Sequence, residues 1–117
     1  MTIRRIETGK RMSQAVVHGG TAYLAGQVAQ GAPGGTIGEQ TRDILGRIDK
    51  LLAEAGSDKS KLLSATIWLT DMRDFAEMNA VWDAWVAPGN TPARACVESR
   101  LAAQRYNVEI MVTAAAG

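Results

Sequence analysis

The sequence predicts a single α+β domain in which two helices cover one face of a mixed β-sheet. Three observations carry this prediction. Several short runs alternate apolar and polar residues with period two, and two longer runs repeat apolar residues at helical spacing. The segments follow the order strands, helix, strand, helix, strands, which suits helices segregated to one side of a sheet. At 117 residues the chain can build one core, yet it is small enough that self-association would help bury its surface. One domain spanning residues 1–117 is the expectation.

Val16-Val17 and Thr21–Ala25 flank His18-Gly19-Gly20, the pattern of two short strands around a tight turn. Gly31–Gly35 then breaks the pattern. From Ile37 onward Thr41, Ile44, Leu45, Ile48, Leu51, Leu52 and Ala55 mark a helix, with Thr36 as N-cap and Gly56 as stop. Leu63, Ala65, Ile67 and Leu69 alternate with Leu62, Ser64, Thr66 and Trp68, which predicts a strand that is apolar on one side and mixed on the other. A second helix is expected after Asp71, with Phe75, Met78, Asn79, Trp82 and Val86 along one stripe, ending before Pro88-Gly89-Asn90. Thr91–Arg100 and Asn107–Thr113 read as the final strands. Thr66, Trp68, Met111 and Thr113 make the uncovered sheet face too apolar for a fully wet surface, so copies of the chain are expected to bury it.

Composition excludes several functions. The 13 basic and 12 acidic residues leave a formal charge of +1, so no basic field points to nucleic acid. The first residues lack the apolar core of a signal peptide, and no run reaches the ~20 apolar residues of a membrane span. A cytoplasmic location without membrane partners is the expectation. Cys96 has no second cysteine to pair with, and the single His18 has no second histidine or cysteine near it. No metal is therefore expected.

Two charged residues set into apolar strands need explaining. In an extended Thr91–Arg100, Arg94, Cys96 and Glu98 share one face and Ala95, Val97 and Ser99 the other, so Arg94 is expected to point away from the small apolar face. In the last strand Val108, Ile110 and Val112 form an apolar row, which sends Glu109 to the opposite side. Both charges are expected to look into a shared cleft. Arg94 offers a fork that fits a carboxylate, with a structural ion pair as the alternative. Glu109 could orient a water or take its proton, with a cross-strand salt bridge as the alternative. Cys96 has no base beside it and reads as a small hydrophobe. Asn79 reads more readily as a capping or core hydrogen-bonding residue than as a catalyst, and His18 as a turn residue.

Pro92-Ala-Arg-Ala-Cys-Val-Glu98, Ala25-Gly-Gln27 and Val108-Glu-Ile110 closely resemble the corresponding motifs of the RidA (YjgF) family of reactive enamine and imine deaminases, over about Met12 to Ala115. The resemblance implies a chorismate-mutase-like fold, a homotrimer with clefts between subunits, and cofactor-free hydrolysis of 2-enamino or 2-imino acids to 2-keto acids and ammonia. It assigns the substrate carboxylate to Arg94, water positioning to Glu109, and backbone contacts to Gly26 and Cys96. Asn79 matches an asparagine of the family's second helix. The family's Gly-Pro-Tyr segment is replaced here by Lys10-Arg-Met-Ser-Gln14, so the tyrosine's contact is lost or taken over by Ser13 or Gln14. A non-catalytic small-molecule-binding or chaperone-like protein is the alternative.

Overall fold

The computed structural model describes residues 2–116. Its strands are β1 (Arg4–Thr8), β2 (Ser13–His18), β3 (Thr21–Leu24), β4 (Gln27–Val28), β5 (Leu62–Leu69), β6 (Ala93–Glu98) and β7 (Val108–Ala115). The helices are α1 (Ile37–Glu54) and α2 (Phe75–Trp85), each preceded or followed by short 3-10 turns. One sheet runs in the order β1-β2-β3-β7-β5-β6, with β4 continuing along β7 beyond β3. The β5–β6 pair is parallel and the other pairs are antiparallel, which makes the sheet mixed. Because α1 and α2 are each the crossover between parallel strands, the right-handed rule puts both on the same face. They pack side by side there.

Local chemistry explains the boundaries. Thr36 caps α1 by accepting from the Glu39 N–H at 3.1 Å, while the Glu39 carboxylate accepts from the Thr36 N–H at 2.8 Å. Gly19 and Gly20 close the β2–β3 hairpin with φ of 60° and 80°, the sign a two-residue turn of this hand requires at both positions. Asp71 caps a 3-10 turn rather than α2 itself, which begins at Phe75. The core lies between helices and sheet: Ile44, Ile48 and Leu52 of α1 and Met78 of α2 against Ile67, Leu69, Val108 and Ile110. No helix among the described residues is long and apolar enough to cross a membrane.

Three strand expectations are corrected. The first strand is β1 rather than β2, the strand with which the sequence pattern begins. Its sequence Arg-Arg-Ile-Glu-Thr carries one inward apolar residue, Ile6, and suits an edge strand whose charges discourage further pairing. In β5 a register shift between Leu62 and Ser64 buries Leu62 and leaves Leu63 exposed, the reverse of strict alternation. In β6 Arg94 and Cys96 sit laterally beside the buried Ala65 and Ile67, so their row faces the helices. The apolar Ala95 and Val97 face outward.

The outward face is bare and apolar, as expected. Tyr23 is 50%, Val97 45% and Met111 39% exposed, and Trp68 lies half-buried among them. Side-chain hydrogen bonding there includes Ser64 and Thr113, whose hydroxyls are 2.6 Å apart.

Candidate functional site

Arg94 sits on β6, which pairs only with β5 and forms a free edge of the sheet. Its guanidinium carbon lies 5.3 Å from the ring centroid of Trp82 and 6.0 Å from that of Phe75. Both rings project from one stripe of α2, seven residues apart, and Asn79 stands between them on that stripe. A cation held on ring faces keeps its charge and its N–H donors free, whereas a carboxylate partner would consume both. The ion pairs found among the described residues are Arg47–Asp43 and Arg73–Asp71, and neither involves Arg94. Glu98, a possible partner from sequence, instead accepts from the Met72 N–H at 2.9 Å.

Asn79 Oδ1 is the one buried side-chain polar atom without a partner among the described residues. It neither caps a helix nor joins a core hydrogen bond. Cys96 is half-buried against the core. Burial pushes its thiol pKa up, and the nearby Arg94 charge only partly offsets this. A protonated thiol at neutral pH is a poor nucleophile.

Glu109 occupies the other face. Its lateral neighbours are Trp68 on β5 and Val28 on β4. The carboxylate is half-buried without an ion pair among the described residues, and burial raises its pKa above the ordinary glutamate value. It lies against Gly26, where an added Cβ would stand 2.1 Å from Glu109 Oε2. Gly26 therefore makes room for the carboxylate. Together they line a cavity of about 360 Å³, with Gln14, Gln27, Met12 and Lys50 among its other walls. Its volume is that of a small-ligand site.

The expected shared cleft is thus corrected within one chain. Arg94 and Glu109 are separated by β5, by about three residues along the strands, and by the thickness of the sheet. Strand geometry puts their Cα atoms about 14 Å apart, with side chains diverging. Two half-sites result: Arg94, Cys96 and Asn79 on the helix side, and Gly26 and Glu109 on the bare side. Ser13 joins neither, since its hydroxyl lies 3.0 Å from that of Thr8 across β1–β2. His18, expected as a turn residue, instead ends β2 paired with Thr21 beside the Gly19-Gly20 turn, away from both.

Sequence reasoning missed the supporting groups. From sequence Phe75 and Trp82 are only members of the stripe of α2, although aromatic residues seven apart on a helix can also carry a cation. Gln40 is fully buried; it donates to Gly35 O and Asn107 Oδ1 and accepts from the Asn107 N–H. Asn107 in turn donates to Thr70 Oγ1. This network ties α1 to the start of β7, and its signal was a glutamine at an inward position of an otherwise apolar stripe.

Known proteins place the chain in a family. Residues 2–116 match the family model described as Endoribonuclease L-PSP. A RutC family protein of Haemophilus ducreyi is 46% identical over 113 residues, covering 97% of this chain and 96% of its own. The RutC family protein YoaB of Escherichia coli is 44% identical over 115 residues, covering 98% and 99%. The crystal structure of NMB1025 from Neisseria meningitidis, a YjgF family member, superposes with a TM-score of 0.96 at 53% identity, covering 100% of this chain and 97% of that one. With the two-layer fold and the strand motifs already described, these matches establish that the chain belongs to the YjgF/RidA family.

Proposed function

We propose that the protein hydrolyses reactive 2-enamino and 2-imino acids to 2-keto acids and ammonia in the cytoplasm, as a homotrimer whose sites lie between subunits. The observation that carries this reading is the pair of charges without ion partners among the described residues: a guanidinium held on rings at the sheet edge, and on the opposite face a carboxylate that lines a cavity. Opposite faces of one chain can complete one site only through a second copy. In a head-to-tail ring the edge of one subunit meets the bare face of the next, and each interface closes a site. The exposure of Tyr23, Val97 and Met111, apolar surface that such an assembly would bury, supports it.

In this reading Arg94 holds the substrate carboxylate through a bidentate fork. Asn79 Oδ1, unpartnered, accepts from the substrate nitrogen, and the main chain at Gly26 and Cys96 borders the ligand. Glu109 orients a water and takes one of its protons as the oxygen attacks the iminium carbon. The product is a carbinolamine. Its nitrogen gains a proton and leaves as ammonia while the hydroxyl loses one, which gives the 2-keto acid. The iminium carbon is already electrophilic, so positioning and exclusion of bulk water are enough for modest acceleration.

The test generates imino acids in place with an amino-acid oxidase and traps the remainder with semicarbazide. Faster loss of trapped signal with wild type than with Arg94→Ala supports the proposal. Equal trapping with and without protein across several side chains, the assembly being intact, rejects it in favour of a binding protein.

A further inference from the structure

The cavity beside Glu109 has a polar wall of defined polarity. Gln27 is 8% exposed, and its Nε2 donates both to the Ala25 carbonyl at 3.0 Å and to Gln14 Oε1 at 2.9 Å. A main-chain carbonyl only accepts, so the Ala25 oxygen forces the Gln27 NH2 group toward it. That NH2 then forces Gln14 to present its oxygen to Gln27. The Gln14 NH2 group is left over. Among the described residues it has no acceptor, and it is not a buried unpartnered atom, of which Asn79 Oδ1 is the one example there.

The backbone around Gln14 is also shaped for the cavity. The Gln14 carbonyl accepts from the Ala25 N–H at 2.8 Å, which fastens β2 to the segment that carries Gly26. Opposite Gln14, the β1–β2 ladder pairs Ile6 with Ala15 and Thr8 with Ser13 but skips Glu7, the one non-glycine residue among those described with positive φ, at 50°. Strained backbone of this kind persists where the surroundings impose it. Glu7 and Gln14 both line the cavity.

We infer that the Gln14 side-chain amide is a hydrogen-bond donor of fixed orientation to the ligand oxygen bound beside Glu109, and that Gln27 is its positioning residue. The inference rests on the proposed function for the identity of that oxygen: it is the water-derived oxygen that becomes the carbonyl of the 2-oxo acid. A donor there favours 2-oxo acids over the corresponding 2-amino acids, whose nitrogen at that carbon is a cation and repels an N–H.

The experiment titrates 15N-labelled protein with 2-oxobutanoate and follows the glutamine side-chain NH2 signals, with the Gln14 signal assigned by its absence in Gln14→Leu. Turnover in the oxidase and semicarbazide assay is measured in parallel. The expected result is a ligand-dependent shift of the Gln14 signal and about tenfold weaker 2-oxobutanoate binding in both Gln14→Leu and the near-isosteric Gln14→Glu. Gln27→Glu, which offers Gln14 an acceptor instead of a donor, should turn the Gln14 amide around and weaken binding similarly with Gln14 intact. Unchanged binding in folded Gln14 variants, with wild-type turnover present, overturns the inference alone. Wild-type binding with a Gln14 shift but no turnover overturns the proposed reaction and leaves the donor assignment standing. Neither binding nor turnover overturns both.

Discussion

The guanidinium of Arg94 rests 5.3 Å from the ring centroid of Trp82, so this arginine is held by an aromatic face rather than by a carboxylate. Nothing in the fold of one chain depends on its charge being neutralised. Arg94→Ala is therefore expected to keep the fold and assembly while raising KM by about 30- to 150-fold, the equivalent of a charge-assisted pair worth about 2–3 kcal/mol. Phe75→Leu, at the second and more exposed ring, should show a weaker change in the same direction. Steady-state kinetics with size-exclusion chromatography decides the matter; dissociation of Arg94→Ala would mean that the arginine serves the interface instead.

Glu109 makes a pH prediction whose sign follows from its environment. Burial raises its folded pKa, so the stability linked to the protonated form is fully present below the unfolded value of about 4.3 and is lost as pH rises through the raised folded value. Glu109→Gln, which cannot ionise, should escape that loss. Denaturation midpoints of the two proteins are expected to diverge in favour of the variant across this window. The variant should also lose turnover, and the wild-type acid limb of kcat/KM should sit above the ordinary glutamate range.

Gly26→Ala probes the contact between main chain and carboxylate. The new methyl would overlap Glu109 Oε2, the movable end of a side chain, so the carboxylate should swing aside while the backbone stays. A fall in kcat with little change in denaturation midpoint is expected. An equal fall of Gly26→Ala in the Glu109→Gln background would show that the glycine acts through something other than this carboxylate.

Gln40→Leu tests the link between α1 and β7. It strands Asn107 N–H, Asn107 Oδ1 and Gly35 O in part-buried surroundings. A loss of about 3 kcal/mol is expected, read from chemical denaturation at fixed protein concentration. A loss below about 0.5 kcal/mol would mean that water replaces the amide without cost.

Local pattern was enough to locate both helices, β2, β3, β5, β6 and β7, because alternation and helical spacing are written in neighbouring residues. The Thr36 cap, the Gly19-Gly20 turn and the bare sheet face were legible for the same reason. The short β4 and the charged β1 were not, since neither carries enough apolar period to stand out. The face of Arg94 was decided only by tertiary structure. Within β6 both rows mix small apolar and polar residues, so alternation says that Arg94 and Val97 diverge but not which one meets the helices. Parallel pairing of Arg94 with Ala65 settles that, and it depends on a crossover of more than twenty residues. The division of the candidate site into two half-sites has the same origin: residue identity alone says which positions carry charge, whereas strand order, a long-range property of the sheet, keeps Arg94 and Glu109 of one chain apart.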